Sequence, residues 1–229
     1  MPREDEVLRS IVAENDQFAS HLITLCVDRG WFIACAESLT GGLLADAFVR
    51  IPGASRAFLG SAVTYHLGAK RSLLGVDGQL LAKEGAVDAR VARQMAEGTA
   101  RAYAPSLIPL TADGATDAND SDHSDHAHVL HTASATQSTR APHSSSDVSS
   151  AQLLTLSTTG VAGPDSDGYK PVGLVYVGLR LPGHPAISKE LHVTGDREEI
   201  RLRTVHEALS WAISECCDSS AHYTNVTNR

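Results

Sequence analysis

A layered α/β fold is what this sequence predicts. Short apolar runs such as "WFIACAE" (Trp31–Glu37) and "VGLVYVGLRL" (Val172–Leu181) have the near-continuous pattern of buried strands. Between them lie segments with helical spacing and helix-start residues. The 229 residues are 42% hydrophobic, enough to build one good-sized domain and its core, whereas a second full domain would be cramped. No internal repeat is visible.

The elements follow in order. Glu4 to Arg29 reads as a helix, with Leu8, Val12, Leu22, Leu25 and Cys26 on compatible faces. Trp31–Glu37 is a strand and Thr40–Arg50 ("TGGLLADAFVR") a helix. Ala57–His66 is a strand and Ala69–Val76 a short helix; Asp88–Tyr103 is helical, with Asp88 as its cap. From about Pro105 to Ser150 the chain is rich in Ser, Thr, Ala, Asp and His and poor in large apolar residues. Such a segment buries too little surface to offset its ordering entropy, so a disordered insertion at about 105–150 is expected. Strands resume at Leu153–Gly160, Val172–Leu181 and Ile187–Gly195. The last helix starts at "GDREEIR", where Asp196 and Glu199 have capping-box spacing, and Val205, Ala208, Leu209, Ala212 and Ile213 form its apolar stripe. One domain over 4–218 and a polar, frayed tail over 219–229 are expected.

A formal net charge of −8 and a pI near 5.7 argue against nucleic acid as the main partner. No apolar stretch approaches the roughly 20 residues of a membrane span. The charged start "MPREDEVLRS" lacks a signal core. Cys26, Cys35, Cys216 and Cys217 have no zinc-binding spacing and read as reduced thiols, so a cytoplasmic location is expected.

Chemistry concentrates at strand ends. In "ACAESLTGGLLA" (Ala34–Ala45) a Ser, a Thr and two glycines stand between a strand and a helix. Ser38 or Thr40 as a helix cap, with glycines for the turn, is one reading. The other is a nucleophile beside helix-mouth N–H groups that hold negative charge. A serine needs activation, and "VTYHLGAK" supplies Tyr65 and Lys70 near the end of the next strand. "STTGVAGPDSDGYKPVG" places Gly160 and Gly163 where backbone N–H groups can approach an anion or a carbonyl oxygen, or where the chain simply turns between strands. Arg197 and Arg201 stand one helical turn apart, the spacing of a phosphate clamp; Arg203 reads as a solvated residue beside Glu198 and Glu199. His123, His126, His128, His131 and His143 read as adventitious metal binders within the insertion, so no functional metal or cofactor is expected.

Together, "AESLTGGLLADAFVRIPGASRAFLGSAVTYHLGAKRSLLGV", "GAVDARVARQMAEG", "STTGVAGPDSDGYKPVGLVYVGL" and "GDREEIRLRTVHEAL" resemble, in order, the C-terminal domain of the CinA family, the nicotinamide-nucleotide amidohydrolases. The resemblance covers nearly the whole chain outside the insertion and tail. It implies a compact three-layer α/β/α domain with a mixed sheet. It implies deamidation of nicotinamide mononucleotide to nicotinate mononucleotide and ammonia, a step of pyridine-nucleotide salvage on a small-molecule substrate.

By that resemblance Ser38 is the nucleophile, and Tyr65 and Lys70 move its proton to the departing ammonia. N–H groups near Thr40, Gly41 and Gly42 hold the oxyanion. Thr159, Gly160 and Gly163 line the opposite wall, and Arg197 or Arg201 holds the 5′-phosphate. The chain departs from the family pattern at Leu39, where a small polar residue is usual, at Asp88, where Ser is usual, and in the loop "DSDGYK", which is poorer in glycine. The pyrophosphatase-like domain of larger family members has no counterpart in these motifs, so its activity and metal are not carried over. A catalytically silent nucleotide-binding module and an interaction scaffold are the alternative readings, and homo-oligomerisation stays open.

Overall fold

The computed structural model describes residues 4–107 and 152–223. The elements run α1 (Glu4–Arg29), β1 (Phe32–Glu37), α2 (Leu43–Val49), β2 (Phe58–Val63), α3 (Leu67–Leu74), α4 (Gly78–Glu84), α5 (Ala89–Tyr103), β3 (Leu153–Gly160), β4 (Leu174–Arg180), β5 (Ile187–His192) and α6 (Arg197–Tyr223). One five-stranded sheet has the order β2-β1-β3-β4-β5. β1 pairs in parallel with β2 and β3; β3–β4 and β4–β5 are antiparallel. The mixed three-layer α/β/α architecture is thus as expected.

Strand alternation assigns the two faces. Ile33 and Cys35 of β1, with Leu154 and Leu156 of β3, join the core under α1, α2 and α6. Ala36 faces Leu74, Val91 and Met95 on the other side, under α3 and α5. On this second face Thr155, Ser157 and Thr159 each donate a hydroxyl to a carbonyl at or just before α5: Ala96, Ala92 and Ala86 respectively, at 2.7–2.8 Å. Side chains as short as these, opposite Gly178 on β4, let α5 lie close on the sheet; a Cβ at Gly178 would meet the Ala92 carbonyl oxygen at 2.3 Å.

The helix starts carry the predicted chemistry. Asp88 accepts from the Arg90 N–H at 2.7 Å. Asp196 accepts from the N–H groups of Glu198 and Glu199, and Glu199 returns an acceptor to the Asp196 N–H at 3.1 Å, a complete capping box. Several bounds differ. α2 starts at Leu43 because two turns with left-handed glycines precede it. The helix at Gly78–Glu84, capped by Asp77, escapes the sequence reading because it is only two turns long. α6 continues beyond Asp218 to Tyr223. A 3₁₀ turn over Ala104–Leu107 occupies the start of the segment read as an insertion; the rest of that segment, with its five histidines, lies outside the described residues. Cys26, Cys35 and Cys216 are buried and Cys217 is exposed, and no disulfide joins them among the described residues. No helix among the described residues is long and apolar enough to cross a membrane.

α3 is held against α5 by backbone contact. A Cβ at Gly98 would stand 2.0 Å from the Leu74 carbonyl oxygen, and Arg101 donates to that same oxygen at 3.0 Å. Gly98→Ala is therefore expected to push α3 away and destabilise the domain by about 1–3 kcal/mol despite Ala's better helix propensity. A urea midpoint that falls supports this packing; an unchanged or higher midpoint refutes it.

Candidate active site

β1 delivers Ser38 to the edge of the sheet, where its N–H still donates to the Thr158 carbonyl at 3.0 Å. The chain then makes two turns. The Gly41 N–H donates to the Ser38 carbonyl (3.1 Å) and the Leu43 N–H to the Thr40 carbonyl (3.2 Å). Gly41 and Gly42 have φ of +57° and +102°, a left-handed pair that only glycine adopts without strain.

The α2 mouth already has its anion. Glu37, fully buried, accepts through Oε2 from the Gly42 N–H (2.9 Å), the Leu44 N–H (3.0 Å) and the Thr40 hydroxyl (2.8 Å). Its Oε1 accepts from the Ala45 N–H (3.0 Å) and the Ser61 hydroxyl (2.8 Å). The Thr40 hydroxyl has one proton, which the carboxylate takes, so Thr158 donates its own to Thr40 across 2.7 Å. This corrects the sequence reading. Gly41 and Gly42 cannot give their N–H groups to a substrate oxyanion, because Ser38 and Glu37 hold them. The Thr40 side chain is buried and engaged, and neither Ser38 nor Thr40 caps α2. Glu37 and Thr158 were not singled out from sequence. A carboxylate at the end of a buried strand, just before a helix start, was the available signal.

α3 brings Lys70 to Ser38. Its Nζ lies 2.8 Å from Ser38 Oγ, 2.5 Å from the Thr64 carbonyl and 3.3 Å from that of Tyr65. Lys70 is fully buried and forms no ion pair with a carboxylate among the described residues. Burial lowers its pKa to about 8. A neutral amine keeps two N–H donors for the two carbonyls and turns its lone pair to the Ser38 hydroxyl. The neighbouring Thr64 Oγ1 is buried without a partner among the described residues.

Tyr65 differs from expectation. Its ring is 61% exposed, its hydroxyl lies 3.4 Å from an Arg197 Nη2, and no hydrogen bond joins that hydroxyl to Ser38; its carbonyl is what serves Lys70. Arg197 also donates to the Gly163 carbonyl, so Tyr65, Arg197 and the β3–β4 loop meet one another beside the segment whose carbonyls hold Lys70. Arg201 bonds instead to the backbone after Ser38. Its Nε donates to the Leu39 carbonyl (2.9 Å) and its Nη2 to the Thr40 carbonyl (2.8 Å). The two arginines therefore do not form one clamp. The Thr159 hydroxyl donates to the Ala86 carbonyl on the α5 face, and a Cβ at Gly160 would stand 2.7 Å from the Leu174 carbonyl oxygen in the β3–β4 ladder. Arg203 pairs with Glu199 at 3.4 Å, as a solvated helix residue does.

The lowered pKa of Lys70 has a consequence for stability. Between pH about 8 and 10.5 the unfolded chain binds the lysine proton and the native chain has released it, so this group makes stability rise with pH. Over that window the gain is about 3 kcal/mol; below pH about 8 the full cost of burying the cation is present. Lys70→Met is expected to remove this rise. Urea unfolding of both proteins across the window measures it, and parallel pH curves would refute the buried-amine assignment.

The CinA C-terminal domain model matches residues 15–126 and 128–216. A competence-damage inducible protein of Clostridium novyi is 35% identical over 188 residues, 82% of this chain and 34% of the relative. A CinA-like protein of Frankia casuarinae is 34% identical over 195 residues, 85% of this chain and 34% of that protein. The chain spans about a third of the length of the curated relatives it matches. Among solved structures, the competence/damage inducible protein CihA from Agrobacterium tumefaciens superposes with a TM-score of 0.63 at 28% identity, covering 88% of this chain and 94% of that one. A CinA superfamily protein from Klebsiella pneumoniae has the same fold, with a TM-score of 0.65 at 20% identity over 89% of this chain and 98% of that one. A family model matched along nearly the whole described chain, with the Ser38 loop, the Lys70 helix and the Arg197 helix in its order, identifies this chain as a member of the CinA C-terminal domain family.

Proposed function

We propose that the chain is an amidohydrolase that converts nicotinamide mononucleotide and water to nicotinate mononucleotide and ammonia, a cytoplasmic step of pyridine-nucleotide salvage. The observation that carries this reading is the 2.8 Å contact between Ser38 Oγ and the buried Nζ of Lys70. A lysine with a pKa near 8 is a usable base near neutral pH, whereas an ordinary lysine is not. Ser38 Oγ adds to the carboxamide carbon while its proton passes to Lys70 Nζ. Collapse of the tetrahedral adduct breaks the C–N bond, and the proton from Lys70 goes to the departing nitrogen as ammonia. Water then hydrolyses the acyl-serine to the carboxylate and restores the Ser38 hydroxyl. The pyridinium ring of the substrate is itself cationic and adds to the bias toward a neutral lysine.

In this reading Arg197 is the arginine that meets the 5′-phosphate. It stands beside the exposed Tyr65, and a guanidinium retains donors after binding one carbonyl. The Tyr65 ring then contacts substrate, and proton transfer belongs to Lys70.

Ammonia release from nicotinamide, its riboside, its mononucleotide and the dinucleotide tests the reading, with the mononucleotide expected to be the preferred substrate. Ser38→Ala should lower turnover by a factor on the order of hundreds or more with the fold intact. Arg197→Ala should raise KM for the mononucleotide about tenfold or more and leave the riboside, which has no phosphate, nearly unchanged. Near-wild-type turnover in Ser38→Ala would remove the nucleophile. Equal weakening of both substrates in Arg197→Ala would place the phosphate elsewhere.

A further inference from the structure

Arg201 holds two successive peptide carbonyls immediately after Ser38, those of Leu39 and Thr40. A peptide unit is planar and trans, so its C=O and N–H point in opposite directions. The bond to the Leu39 carbonyl therefore fixes the direction of the Thr40 N–H. The bond to the Thr40 carbonyl fixes the Gly41 N–H, which closes the turn onto the Ser38 carbonyl.

The N–H groups of this loop divide sharply. Those of Ser38, Gly41, Gly42, Leu43, Leu44 and Ala45 all have acceptors. Those of Leu39 and Thr40 have none among the described residues, although the two residues are 3% and 0% exposed. Buried backbone N–H groups are nearly always paired. Two adjacent exceptions, directly after a serine bonded to a buried amine, are the N–H donors of this loop that its own groups do not use. They are also the central N–H groups of the Ser38–Gly41 turn. In such turns the N–H two residues after a serine lies on the side of its hydroxyl.

We infer that the Leu39 and Thr40 N–H groups form the oxyanion pocket for attack by Ser38, and that Arg201 is the positioning residue that holds them there. Arg201 does not touch substrate. It orients the loop from behind: its charge polarises the Leu39–Thr40 peptide, which carries the Thr40 N–H, and its bond to the Thr40 carbonyl holds the Gly41 N–H on the Ser38 carbonyl, whose peptide carries the Leu39 N–H. Glu37 pins the same loop from its other end, at Gly42. This inference rests on the amidohydrolase reading only for its choice of substrate; the loop would act alike on any acyl group that Ser38 attacks.

The experiment compares Arg201→Ala and Arg201→Lys with the wild type by steady-state ammonia release from the mononucleotide and from the riboside. A positioning role predicts that kcat falls about 100-fold in Arg201→Ala on both substrates, with KM for the mononucleotide within about twofold. Arg201→Lys, able to hold one of the two carbonyls, should fall between. Millimolar guanidinium chloride should restore part of the Arg201→Ala rate, a rescue that loss of packing alone would not show. A second measurement does not depend on the natural substrate: acylation of Ser38 by p-nitrophenyl acetate, followed by mass spectrometry, should slow in the same order. Wild-type acylation at Ser38 without ammonia release would overturn the substrate reading and leave the Arg201 inference to be read from the acylation rates. A rise in KM confined to the mononucleotide would make Arg201 a phosphate ligand and overturn the inference. An unchanged kcat and acylation rate in Arg201→Ala would overturn it too.

Discussion

The carboxylate of Glu37 is the constraint on which the site depends. A charge taken out of water costs several kcal/mol unless nearby groups replace its hydration. Here five donors from β2, the Ser38 loop and the first turn of α2 do so, with no cation among them. Meeting that requirement fixes the loop between β1 and α2 to the strand on one side and the helix on the other. The absence of a cation matters as much as the presence of the donors. Had Lys70 been the partner of Glu37, the ion pair would have held the lysine protonated. Glu37 is satisfied by neutral groups instead, and Lys70 faces only a hydroxyl and two carbonyls. Burial alone then acts on the amine and lowers its pKa.

The sheet makes this separation possible. β1 presents Ile33, Cys35 and Glu37 on one face and Ala34 and Ala36 on the other. β3 follows in register, with Thr158 opposite Glu37. Thr158 therefore joins the Glu37–Thr40 network, while its neighbours Ser157 and Thr159 point to α5 and brace it through carbonyls. α5 in turn places α3 through the close approach at Gly98, and α3 carries Lys70. The position of one amine thus depends on a chain of backbone contacts that crosses the sheet.

Much of this was legible in the sequence. Apolar periodicity gave the layers, and the local rules for helix starts located Asp88 and the Asp196–Glu199 box, because both depend on neighbours two or three residues away. The sequence put Ser38 and Lys70 near the ends of two successive strands; that these strands are neighbours, β1 beside β2, is seen only in the sheet. What stayed illegible is which polar groups the protein consumes internally. Spacing puts Arg197 and Arg201 one turn apart, yet it does not say that the donors of Arg201 meet two carbonyls from a segment some 160 residues away. Thr158 and Thr159 look equivalent as letters, and strand register alone decides that one faces the Ser38 loop. Tyr65 and Lys70 both stand near Ser38 in sequence logic, but a residue at the end of β2 turns its ring outward, while α3 turns Lys70 inward.

The same distinction between side chain and backbone explains how this chain tolerates its departures from the family pattern. Leu39, which the resemblance marks as a departure from the family pattern, directly follows Ser38, and its side chain packs into the core under α1, α2 and α6. Its contributions to the site are its carbonyl and N–H, which any residue supplies. The leucine side chain therefore serves the core, and the turn is held through the backbone. The glycine-poor loop behaves alike. Asp167 and Lys170 bond to each other through backbone groups across its tip, and the Lys170 ammonium donates to the Glu84 carbonyl at the end of α4. Side-chain anchoring at Lys170 sets the course of the loop where glycine turns would otherwise do so. The loop thereby reaches Gly163, whose carbonyl receives Arg197, with its ends fixed to α4 on one side and α6 on the other.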